Sequence, residues 1–102
     1  MGLGHCFPSE WAQWDQLLND TYAELVDMQI AMDKDTAAYN DALAVAEDSL
    51  RTMQRAWIVF RDAACEFEYA QWTGGSGAGP ASAQCMLELT AAQALRLQEY
   101  LE

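Results

Sequence analysis

Positive charge is scarce in this sequence. Five Lys and Arg stand against 16 Asp and Glu, which leaves a formal net charge of -11. Phosphate recognition needs a basic face, so a nucleic-acid partner is not expected and anionic membrane surfaces are disfavoured. No apolar run reaches the roughly 18 residues needed to span a bilayer. Strand signals are missing as well: period-two alternation is absent and β-branched residues are sparse. Histidine occurs once, at His5, and no CxxC or HxxxH spacing is present. A zinc site needs about four ligands at set spacings, so none is expected. His5 and Cys6 are neighbours in the terminal segment, and a Cys–His nucleophile pair needs a scaffold on which to converge. Carboxylates are plentiful, but no apolar surround or motif marks one as an acid of raised pKa. The chain reads as non-enzymatic and without a cofactor.

What the sequence does contain is helical. Its 102 residues are 52% apolar, which suits one domain with a thin core. Trp11, Trp14, Leu18, Thr21, Leu25, Met28 and Met32 follow a 3-4 spacing and predict a first helix from about Pro8 to Met32. The polar stretch Asp33–Thr36 reads as the turn between two helices, with one longer bent helix the alternative because it holds no Gly or Pro. Leu43, Ala46, Leu50, Met53, Trp57, Phe60, Ala64 and Phe67 predict a long second helix from about Asp41 to Trp72. Arg51 stands at helical pairing distance from Glu47 and Asp48. Leu87, Thr90, Ala94, Leu97 and Leu101 mark a third helix, from about Ala81 to Leu101. The expected architecture is all-α: a three-helix antiparallel up-down-up bundle with a long central helix. Its Met and Trp stripes are read as core. Trp14–Asp15 and the stretch from Tyr69 to Trp72 are candidate recognition patches, with core or cap duty the alternative. Arg61 is placed to meet Asp15 or Asn19 of the first helix, with ligand binding the alternative.

The segment GGSGAGP, Gly74 to Pro80, superficially resembles a phosphate loop. No Lys-Ser/Thr pair follows it, and it succeeds a long helix rather than a buried strand. A slack loop between helices fits better. Cys65 and Cys85 then fall near the same end of the hairpin, within bridging reach. The three cysteines admit two readings: one pair with Cys6 left over, as in an extracytoplasmic domain, or three free thiols. Met1–Cys6 lacks the basic and apolar regions of a signal peptide, so the protein stays in the cytosol or the chain starts after a removed segment.

The run QRAWIVFRDAACEFE (Gln54–Glu68), the later GGS (Gly74–Ser76) and CMLELT (Cys85–Thr90) resemble the core of the LprI-type lysozyme-inhibitor family. WDQLLNDTYAEL (Trp14–Leu25) is similar to that family's first helix. The resemblance extends from about Cys6 to Leu101, a single domain over 1–102. It makes Asp15, Asn19, Tyr22, Gln54, Trp57 and Arg61 motif residues. It implies a Cys65–Cys85 disulfide closing the glycine-rich loop, and a Cys6 whose usual partner is missing. It also implies an extracytoplasmic location, periplasmic or secreted, and a chain that begins inside a longer exported precursor. The function it implies is binding of a protein, most concretely a cationic lysozyme drawn to the acidic surface. Gly74, Gly75, Ser76 and Gly77 form the candidate partner-binding loop. An envelope-associated interaction module without lysozyme activity is the alternative.

Overall fold

Helix propensity and apolar periodicity agree over three stretches, and the backbone follows them. A computed structural model of the chain, describing residues 3–102 and the side chains from Ser9 onward, contains α1 (Leu3–Ala37), α2 (Ala46–Ala70) and α3 (Ala78–Glu99). A short 3-10 turn, Asp41–Leu43, stands between α1 and α2. No strand occurs among the described residues. The side chains of His5 and Cys6 lie outside them.

The first turn falls later than the polar stretch suggests. Asp33–Thr36 lacks any helix breaker, and α1 runs through it to Ala37. The chain reverses at Ala38–Val45, where Asn40 takes extended backbone and its side chain accepts the Ala42 N–H at 3.1 Å. Asp33 then reaches across the turn. Its Oδ1 accepts the Ala46 N–H and its Oδ2 the Glu47 N–H, each at 2.9 Å. Val45, the residue preceding α2, has no capping side chain, so Asp33 satisfies those first donors from the neighbouring helix.

The core is a seam between α1 and α3. Leu18 and Leu25 meet Ala94 and Leu97, with Trp14, Leu17, Tyr22, Leu50, Trp57 and Leu101 packed against them. Trp11 Nε1 donates to the buried Thr90 Oγ1 at 3.2 Å, which fixes the parallel register of the two helices. This register carries α1 past the end of α3. The expected apolar stripe is therefore buried only as far as Leu25; Met28 and Met32 are 42% and 49% exposed. The third-helix stripe is buried from Leu87 to Leu97. α3 packs against both other helices more extensively than they pack against each other, giving a broad, thin bundle of 58 × 26 × 14 Å.

On α2 the expected spacing holds but the face is turned. Leu50, Gln54, Trp57, Arg61 and Cys65 form the inward line, whereas Phe60 and Phe67 are 58% and 64% exposed. Two links to α3 set this orientation. Cys65 is disulfide-bonded to Cys85, with Cα atoms 5.4 Å apart. Gln54 Oε1 accepts from Gln93 Nε2 at 3.0 Å in a buried amide pair. One residue along a helix is a rotation of about 100°, so facing Cys65 inward turns Ala64 and its stripe aside.

Two stability measurements test this construction. Asp33→Ala should lower the unfolding free energy by about 1 kcal/mol, read from the urea midpoint at unchanged slope. Cys85→Ser opens a link spanning 20 residues and should cost about 3 kcal/mol in the same assay.

Candidate functional site

Small side chains facing one another leave a groove between α2 and α3. Ala64 and Ala81 line it beside Cys85, while Phe60, Phe67, Trp72 and Leu89 stand higher around it. Its volume is about 460 Å³, and its polar lining is Gln84, Glu68 and Glu88. Phe60 also borders a second hollow of about 390 Å³, lined by Met53, Trp57, Arg96 and Tyr100 among others. The two hollows follow the outer side of the α2–α3 hairpin.

The glycine-rich loop closes one end of the groove. Gly75 N–H donates to Trp72 O at 2.8 Å, and Ala78 N–H to Gly75 O at 3.1 Å. Thr73 and Gly74 have φ of 47° and 85°, the left-handed conformation that ends a helix and reverses the chain. Gly77 is required for a different reason: a Cβ there would overlap the Trp72 ring. The indole thus rests on the Gly77 α-carbon at the groove's end and stays half exposed. Of the candidate loop residues, Gly74, Gly75 and Ser76 are exposed and Gly77 is half-buried.

Charge around the groove is acidic. Among the described residues the ion pairs are Arg51–Glu47 at 2.8 Å and Arg61–Asp62 at 3.0 Å. The Glu47 carboxylate bonded to Nε holds Arg51 above the ordinary guanidinium value, with smaller support from Tyr22. Arg61 also lies 5.0 Å over the Trp57 ring. It does not meet Asp15 or Asn19, because the neighbouring Asp62 and the Trp57 face occupy it. Asn19 Nδ2 instead donates to Asp15 Oδ2 at 3.4 Å.

The motif residues do not converge on one site. Tyr22 packs against the α1–α3 core, Gln54 is buried in its amide pair, and Trp57 and Arg61 stack on each other. Trp14 is also taken up by the core, whereas Trp72, from the second candidate patch, stands at the groove. Sequence reasoning missed the outward turn of Phe60 and Phe67 and the place of Glu68 and Glu88. The available signal was spacing from the cysteines: each glutamate follows a bridged cysteine by three residues, one turn along its helix. Among the described residues no group of three or more His, Cys, Asp or Glu could hold a metal ion. Among the described residues no helix is long and apolar enough to cross a membrane.

Gly77→Ala should displace the Trp72 indole, seen as a shifted indole N–H resonance. The loss of stability should be about 1 kcal/mol, while Ser76→Ala leaves both unchanged.

The sequence model described as "Lysozyme inhibitor LprI" matches residues 1–97. An uncharacterized protein of Rhizobium meliloti (strain 1021) is 34% identical over 102 residues, covering 100% of this chain and 73% of the relative. No solved structure matches the chain. With nearly its whole length matched, the chain belongs to the lysozyme inhibitor LprI family, and its activity class is that of a lysozyme-inhibitor-type binding protein.

Proposed function

We propose that this protein inhibits a cationic lysozyme by binding it through its acidic surface and the segment 74–80, which comprises the exposed loop and the first residues of α3. The observation that carries the reading is the net charge of -11 on a chain of this family. Lysozymes are usually strongly cationic, so the two surfaces attract over about a Debye length, roughly 10 Å at 0.1 M salt. Complementary charge accelerates encounter and orients it, and a shaped element is still needed to occupy or cover a cleft. The exposed Gly74–Ser76 segment lies at the tip of the α2–α3 hairpin and supplies one. A second reading, an envelope-associated module without lysozyme activity, draws on Met28, Ile30 and Met32, which α1 leaves exposed beyond the end of α3.

Turnover of a cell-wall substrate by lysozyme, with and without the oxidised protein, tests the proposal. Stoichiometric inhibition is expected, weakening about threefold or more between about 0.05 and about 0.3 M salt. Absence of inhibition at micromolar excess would overturn it. Salt-independent inhibition would remove its electrostatic part.

A further inference from the structure

We propose that the α2–α3 groove seats one arginine side chain of a cationic partner protein. Its guanidinium stacks on Trp72 and Phe67 and is held by the Glu68 and Glu88 carboxylates. The inference rests on the reading of the chain as an inhibitor of a cationic lysozyme, and names the place where that partner is gripped.

Four observations carry it. Phe60, Phe67 and Trp72 all line one groove while remaining about half exposed or more, so three aromatic side chains stand open to an occupant at one place. The groove is preformed: the Cys65–Cys85 link fixes its two helices and Gly77 fixes Trp72, so little order is lost on binding. Glu68 and Glu88 come from opposite walls, and neither forms an ion pair among the described residues. Gln84 Nε2 donates to Glu88 Oε1 at 2.7 Å and leaves the second oxygen open. Finally, α2 already holds one guanidinium in the same manner, Arg61 over Trp57 with Asp62 as its counter-charge.

These features discriminate among occupants. A purely apolar insert would strip water from two carboxylates without replacing it. An anionic one would be repelled. Lysine would meet the charge but present no plane to the aromatic faces, whereas arginine offers both a flat cation and five donors. Arg96 of this chain lies beyond Phe60 in the second hollow and does not line the groove.

The test uses the full oxidised chain. Affinity for a purified cationic lysozyme is measured by titration calorimetry for the wild type, Glu68→Gln/Glu88→Gln, Phe67→Ala, and the control Glu24→Gln/Asp27→Asn. The control removes the same charge from α1. Near-ultraviolet dichroism checks that each variant folds. The groove double variant and Phe67→Ala should each bind about tenfold or more weakly, and the α1 control about threefold or less. Equal losses from the two double variants would overturn the groove and leave the inhibitor reading standing. A second readout needs no lysozyme: Gly-Arg-Gly and Gly-Lys-Gly are titrated at constant ionic strength while the Trp72 indole N–H resonance, assigned with Trp72→Phe, is followed. The arginine peptide should shift it more than the lysine peptide, and Glu68→Gln/Glu88→Gln should abolish the difference. If lysozyme fails to bind yet the resonance responds, the inhibitor reading falls and the groove stands. An unresponsive resonance overturns the groove in either case.

Discussion

The Cys65–Cys85 link decides how α2 is rotated about its own axis. The covalent bond holds the two backbones 5.4 Å apart at that point, which demands that Cys65 face α3. The Gln54–Gln93 amide pair repeats the demand three turns away, with its polar atoms buried and mutually satisfied. Both constraints act on the same helical line, and an apolar stripe about 100° round the helix is left without a core to enter. Exposure of Phe60 and Phe67 is thus a consequence of what Cys65 and Gln54 require.

The same geometry explains the thinness of the bundle. The fully buried cluster belongs to α1 and α3, and α2 contributes Leu50 and Trp57 to its edge. With α2 bound largely through a disulfide and an amide pair, little apolar area is enclosed on its side. The disulfide offsets that deficit by restricting the unfolded chain. It does so next to the loop, where three glycines and a left-handed Thr73 would otherwise leave the connection poorly ordered. Stability and site geometry therefore depend on one bond.

Much of the fold was legible in the sequence, for physical reasons that can be named. The third-helix stripe was readable because α3 is flanked on both sides, so its periodic positions are buried from Leu87 to Leu97, with Leu101 half-buried at the end. The first-helix stripe was readable only where α3 runs alongside it; Met28 and Met32 carry the right spacing but have no third helix to meet. The turn was misplaced because Asp33 looks like a local cap, while its carboxylate acts on α2 across the reversal. Cap chemistry identifies a residue type, and only tertiary structure identifies which helix it serves. The expected Arg61 pairing with Asp15 or Asn19 failed similarly, since Asp62 lies one residue away and Trp57 one turn away. Of the groove, the sequence showed Phe60, Ala64 and Phe67 only as a periodic stripe and did not single out Glu68 or Glu88, because periodicity gives an angle between positions without saying which angle points inward.

Acidity and aromatic exposure divide the work of recognition in the proposed reading. Uncompensated surface carboxylates act over a distance and do not distinguish one basic patch from another, so they set how often a cationic partner arrives. A groove with fixed walls acts only on contact, and governs how long that partner stays. An acidic helix bundle without Trp72 and Phe67 would attract many cationic proteins and retain few. An aromatic groove without Glu68 and Glu88 would lack a reason to prefer a cation. The two glutamates stand one turn from the bridged cysteines, where the covalent constraint between the helices is tightest. Charge placed there keeps a defined geometry relative to the aromatic walls, which a carboxylate on the freely solvated face of α1 does not have. On this view specificity requires the disulfide, because with the Gln54–Gln93 pair it converts a diffuse negative field into a pair of carboxylates with a fixed spacing.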